Sequence, residues 1–317
     1  MIVSVMRRYP MEIILVLIFI GLALSAPGFF TVNNQLNVLR NVTMQGIIAF
    51  GMTMVIISGE IDLSVGSGVA FAGCLTAWIT RELSPLTGPA LAITLGALAS
   101  MAVLFALGVM TGKLRQQVNM PSFITTLGLL AILAGAANLI TGGFPITSFP
   151  RWFNFIGSGF LFGIPFPVYI LAVVFGLSYF LMNHTTFGRE IYAVGGNLEA
   201  ARLSGIRVWR TKMLALGITG ACTAIAGVLI ASQILSGSAA AGRGWELDVI
   251  AAVIIGGTSL FGGRGRIWGT LIGVLFLGII VNGMTLLNIS EYWQLVVRGA
   301  LIIGAVMLNQ MLDRRMA

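Results

Sequence analysis

The chain has 317 residues, of which 57% are hydrophobic and only 9% charged, with a formal net charge of +8 and a mean hydropathy of +0.99. Soluble domains carry about 25% charged residues, so this composition excludes one. The basic residues are dispersed over short loops and not gathered into a patch with aromatic neighbours, which argues for a lipid bilayer and against nucleic acid as the partner.

Apolar runs of roughly 20 residues, the length that crosses a ~30 Å hydrocarbon core as a helix, recur from end to end. Arg7 and Arg8 precede the first, 11–26. Ala23, Ser25 and Ala26 would suit a cleaved signal, but the run is long for one and reads as a retained span. The second and third spans, 41–58 and 61–80, are joined by the acidic turn GEID at 59–62. The fourth, 90–111, ends at Lys113 and Arg115, and Pro121 opens the fifth, 121–141. A loop with Arg151 and Trp152 leads to the sixth, 167–182. After a polar island come 213–235, 249–261, 267–284 and 292–312. The reading is an all-α polytopic membrane protein of about ten transmembrane helices, one transmembrane domain over 1–317.

Basic residues mark the cytoplasmic side of short loops. With the N-terminus inside, Arg7, Arg8, Lys113, Arg115, Arg189, Arg202, Arg207, Arg210, Lys212, Arg264, Arg266, Arg314 and Arg315 lie inside. Arg40, Arg81, Arg151, Arg243 and Arg298 lie outside. Both termini are therefore expected in the cytoplasm. GEIDLSVG (59–66) and WELDVIAA (245–252) echo one another across five spans. An odd offset means two inverted five-helix halves, an architecture that puts a pathway at the repeat interface. The prolines fall at span edges or in loops, so no helix is expected to be kinked by one. The 41 glycines, close to twice the usual ~7%, allow helices to approach closely in lipid.

The island at 184–212 is the only long polar segment. Asn197 suits an N-cap, Glu199 the first turn, Arg202 the last and Gly205 a left-handed stop, which predicts a short helix over 198–204. A helix that short is marginal alone in water, so it rests on something: the remainder of the loop, or a cytoplasmic partner.

Catalytic chemistry has no parts here. A phosphate-binding loop needs Lys followed by Ser or Thr, yet Lys113 and Lys212 precede Leu114 and Met213. The lone histidine, His184, has no nucleophile motif beside it. Cys74 and Cys222 sit singly in apolar runs and read as packing residues. No catalytic, metal or cofactor site is expected. Polar side chains inside spans are the candidates for lining a pathway: Asn41, Gln45, Asn138 and Asn282, with the acids of the two turns, Asp62 and Asp248, as further pathway or gate residues. Each could equally bond across helices. Arg298 lies well inside a span; the expected partner is Glu291, two turns earlier, and the alternative is a gating role.

FFTVNNQLNVLRN (29–41), GMTMVIISGEIDLSVGS (51–67), TTFGREIYAVGGNLEAARLSGI (185–206) and WELDVIAAVIIGGTSLFGGRGRIWGTLIG (245–273) resemble the permease subunits of bacterial ABC importers for monosaccharides, the ribose type above all. The resemblance implies a pore of two permease copies, as homodimer or heterodimer, in the bacterial inner membrane. It further implies a separate cytoplasmic ABC ATPase and a periplasmic sugar-binding protein. It makes the island a coupling loop, with Gly196, Asn197, Glu199, Ala200, Arg202, Leu203 and Gly205 meeting the ATPase. Glu60 departs from the family, which more often has a small residue there; it either enters an ion pair with a nearby arginine or reflects another substrate. The alternative is an ion-coupled secondary sugar transporter, against which the scarcity of buried titratable groups argues.

Overall fold

A computed structural model describes residues 10–118 and 120–314; Arg7, Arg8 and Arg315, counted above on the cytoplasmic side, lie outside the described residues. The apolar periodless runs become helices, in order α1 (Pro10–Ser25), α2 (Val32–Ile57), α3 (Val65–Thr87), α4 (Pro89–Val118) and α5 (Ser122–Thr141). A 3-10 turn (Arg151–Phe153), α6 (Asn154–Ser158) and a hairpin of β1 (Phe160–Leu161) and β2 (Ile164–Pro165) follow. The second half holds α7 (Phe166–His184), α8 (Thr186–Gly196), α9 (Leu198–Leu203), α10 (Val208–Ile234), α11 (Trp245–Ile255), α12 (Ile267–Leu286) and α13 (Glu291–Arg314). Among the described residues, six of these helices are long and apolar enough to cross a membrane: α2, α4, α5, α7, α10 and α12.

Burial separates a central post from a lipid-facing ring. In α2, 83% of the apolar window is buried, against 28% in α4, 22% in α5 and 28% in α7. Nothing drives apolar helices together in lipid except close packing, and small residues supply it. A Cβ at Gly51 of α2 would stand 2.8 Å from the Thr219 backbone of α10, and one at Gly68 of α3 would meet Thr223 at 2.8 Å. Thr53 and Thr270 add a buried hydroxyl bond of 2.6 Å between α2 and α12. Cys74 and Cys222 are free and buried, as packing residues should be.

Two expectations are corrected. The run 249–261 does not form a span: α11 has 11 residues, about 16 Å at 1.5 Å per residue, half of a ~30 Å core. The chain there is in two pieces, a looped stretch and then α11. Leu235 ends α10 in a left-handed turn, Gly237 bridges to Ile146, and Gly242 settles against the backbone of Gly66. Only then does α11 begin, and the loop after it reaches the end of α2, where Gly263 N–H donates to the Ile57 carbonyl at 2.8 Å. Glycines at 256, 257, 262 and 263 deny that loop a helix, the last three with positive φ. Pro85 is the second correction, since it lies within the last turn of α3 instead of beyond it.

Candidate functional site

A polar chamber formed by α2, α11, α12 and α13

Four of the six predicted pathway residues meet in one place. Asn41 and Gln45 from α2, Asp248 from α11 and Asn282 from α12 line a cavity of about 230 Å³, with Arg298 of α13 closing its side. Their meeting follows from helical spacing and from the early start of α11, whose first turn carries Asp248. Arg298 Nη1 donates to Asp248 Oδ2 at 2.8 Å, and Gln45 Nε2 donates to the same oxygen at 3.1 Å. The pairing of Arg298 with Glu291 is therefore replaced: a charge deep in a span selects the facing carboxylate because leaving either alone in low dielectric is costly. Asn282 and Asn34 exchange amide bonds of 2.9 Å, which tie α12 to the start of α2. Val38, Val42, Leu277 and Val281 supply the apolar wall.

The other two candidates go elsewhere. Asp62 is 4% exposed, accepts both the backbone N–H and the hydroxyl of Ser64 at Oδ1 (2.9 and 2.6 Å), and borders a void of only about 10 Å³. It folds back on Ser64, the residue before α3, in tight packing that leaves no room for a ligand of sugar size. Asn138 bonds the Ala134 carbonyl of its own helix at 2.8 Å and lines a separate cavity of about 550 Å³, beside Arg243 and Glu246.

The GEID turn and the polar island

Glu60 is 5% exposed and closes on Lys212 Nζ at 2.6 Å and Arg115 Nε at 3.1 Å, which joins the turn after α2 to the end of α4 and the start of α10. Burial alone would raise its carboxyl, but Lys212 first, then hydrogen bonds and Arg115, outweigh burial and hold it below the ordinary glutamate range. Of the two readings of this unusual residue, the ion pair is the one observed, with a lysine added.

The island folds as its caps predict. Asn197 Oδ1 accepts from Ala200 N at 2.9 Å, Glu199 and Arg202 occupy the first and last turns of α9, and Gly205 has φ +83°. Residues 196–200 and 202–205 are exposed, Leu203 at 87%, while Ala201 is buried at 4% and anchors the helix. The island rests on α8. There Gly195 lies so close to the Ile57 carbonyl and Gly263 N that no Cβ fits, and Tyr192 Oη donates to the Gly265 carbonyl at 2.9 Å. The glycine pairs 195–196 and 262–263 thus form a seat that joins α8, the end of α2 and the loop leaving α11. His184 is exposed at the end of α7, against Tyr179 and Phe180. No cluster of possible metal ligands occurs among the described residues.

Relatives

A family model described as the permease component of a branched-chain amino acid transport system matches residues 34–306. The chain belongs to this permease family. It is 41% identical over 309 residues to the ribose import permease protein RbsC of Escherichia coli (strain K12), covering 96% of this chain and 94% of that one. The ribose import permease protein RbsC of Bacillus subtilis (strain 168) is also 41% identical, over 97% of this chain and 94% of its own. The L-arabinose transport system permease protein AraH of E. coli (strain K12) is 37% identical, over 96% and 90%. No solved structure matches. This permease is accordingly a multi-pass inner-membrane transport subunit and not an enzyme.

Sequence reasoning missed two members of the permease's polar framework. Arg298 was given the wrong partner because distance along a helix is visible in sequence and distance across a bundle is not. Lys212 was counted only as a basic loop residue, although it is 8% exposed; its position at the very edge of an apolar run was the available signal.

Proposed function

We propose that this permease is the membrane subunit of an ATP-driven importer that carries a monosaccharide, ribose or a close analogue, into the cell. The observation that carries this is the 41% identity to ribose import permeases over nearly the whole chain. The ion-coupled alternative finds no support in these relatives, which are all named as permeases of import or transport systems.

In this reading residues 1–317 are one domain with both termini cytoplasmic, as the basic-residue count requires. Counting the two-piece segment 235–266 as one crossing gives ten, in two inverted halves of five. Two copies, or this chain and a sibling, form the pore, a periplasmic binding protein delivers the sugar, and a cytoplasmic ABC ATPase grips α9. Gly196, Asn197, Glu199, Ala200, Arg202, Leu203 and Gly205 form the contact. Leu203 is the apolar anchor, since an 87% exposed leucine beside Arg202 suits insertion into a partner's groove. The glycine seat then carries motion of the island into α2 and α11, the two helices that hold Asn41, Gln45 and Asp248.

Reconstitution tests this directly. Proteoliposomes carrying the permease, its ATPase and its binding protein should take up radiolabelled ribose or a related monosaccharide only when all three components and ATP are present. Uptake by the permease alone, driven by an ion gradient, would overturn the reading.

A further inference from the structure

The chamber between α2 and α13 is built more specifically than a passive wall needs. Both side-chain hydrogen bonds to Asp248 fall on Oδ2, which leaves Oδ1 as spare acceptor capacity on a residue that lines the cavity. Beside it, Arg298 spends Nη1 on Asp248, and its Nε is buried without a partner among the described residues. An acceptor and a fork of donors therefore stand side by side, with Asn41 and Thr285 on the same cavity. The lining is part polar and part aliphatic. Small polyols present that pattern in reverse, hydroxyls on their edges and C–H groups on a face. Adjacent hydroxyls match a carboxylate and a guanidinium together, one donating to the oxygen and the other accepting from the fork. A cavity of about 230 Å³ is small beside the ~300–1,000 Å³ pockets that hold drug-sized ligands, which limits the occupant to a single small ring.

We propose that Asp248 and Arg298 form a vicinal-diol subsite, in which the ion pair between α11 and α13 opens and both partners transfer to hydroxyls of the passing monosaccharide. The subsite rests on the importer reading above and deepens it. It also gives the pair two states. Without ligand, the bond ties α11 to α13; with ligand, the sugar replaces the bond and α11 is free to follow the glycine seat. Gln45, bonded to the same carboxylate, positions Asp248 and does not itself have to release.

The test uses the complete importer in proteoliposomes, with monosaccharide uptake and the thermal midpoint of the permease measured on each variant. A purely structural bond depends on opposite charges meeting. A diol subsite depends in addition on where the fork and the carboxylate stand. The charge swap Asp248→Arg with Arg298→Asp should recover most of the thermal midpoint lost in Asp248→Ala, while uptake stays at least tenfold below the wild type. Arg298→Lys keeps the charge and loses the fork; it should hold the midpoint within a few degrees and still lose at least tenfold in uptake. Wild-type uptake in the swap, or in Arg298→Lys, overturns the subsite and leaves a structural tie. If the swap does not fold, Arg298→Lys decides alone. Wild-type importer that takes up no monosaccharide overturns the importer reading itself, a result separate from either variant outcome.

Discussion

Glu60-Ile61-Asp62 and Glu246-Leu247-Asp248 present the same chemical types in the same order, and the two halves fold them differently. In the first half the triplet lies outside any helix and precedes α3 (Val65–Thr87); Glu60 is locked between Lys212 and Arg115, and Asp62 is consumed by Ser64. In the second half the triplet is inside the first turn of α11, and its aspartate, bonded to Arg298 at 2.8 Å, lines a cavity beside it. The first arrangement has its charges satisfied by neighbours in tight packing. The second leaves polar atoms uncommitted beside open space. An acidic turn can therefore serve as a fixed joint or as a working surface, and the difference lies in whether the backbone around it is helical when the carboxylate arrives.

Removing the fixed joint should have the largest effect. Glu60→Gln leaves Lys212, whose side chain is 10% exposed, without its counter-charge; breaking one partner of a buried pair costs roughly 3–5 kcal/mol. Arg115, at 31% side-chain exposure, adds little because water screens it. Adding Lys212→Met should restore most of the loss, and a thermal-unfolding series on the single and double variants measures it. A pH profile carries the same signature. Because the folded-state pKa of Glu60 is depressed, its contribution is complete above the unfolded value near ~4.3 and declines as pH falls through the lower folded value. Glu60→Gln should flatten that acid limb. An unchanged limb would mean the pair contributes nothing.

Next in size is the seat that joins the two regions. Gly195→Ala forces a methyl group against the Ile57 carbonyl and the Gly263 amide, backbone on both sides, so helix α8 has to lift. Overpacking of this kind costs about 1–3 kcal/mol. The ATPase should co-purify less well and uptake per ATP hydrolysed should fall. Gly176→Ala in α7, where nothing lies within 4 Å, is the control and should behave as the wild type.

What could be read from the sequence divides along physical lines. Composition and apolar run length are one-dimensional signals, and they found the helical membrane class, most span limits and the island. Capping is local, so α9 was placed within a residue: 198–204 expected, Leu198–Leu203 observed. The partners of Glu60 and Arg298 depend on contacts between residues 152 and 50 positions apart respectively, which no local rule contains. The run 249–261 failed for another reason. Its apolar composition was that of a span, but glycines at 256 and 257 cut the helix short, and glycine was being read as a packing residue. Asn41, Gln45, Asp248 and Asn282 were found as separate polar residues; that they share one cavity required the fold.

A smaller effect is expected at the island cap. Asn197→Ala removes the bond to Ala200 N and should destabilise α9 by about 0.5–2 kcal/mol, visible as faster amide exchange over 198–203 with the thermal midpoint of the whole permease unmoved. Asn197→Asp, an equally good cap, should retain protection.

The smallest effect sharpens the contrast from the other side. Arg81 and Glu82 form an ion pair of 3.0 Å, a distance like that of Arg115 to Glu60, but each side chain is 52% exposed. Exposed pairs contribute about 0–1 kcal/mol, since holding two long side chains together offsets a Coulomb attraction already weakened by water. Arg81→Ala should move the thermal midpoint by no more than a degree or so, at low and at high salt. If it instead matched Glu60→Gln, distance alone would be setting the strength of these pairs, and burial would lose its place in explaining why one acidic turn is a joint and the other a site.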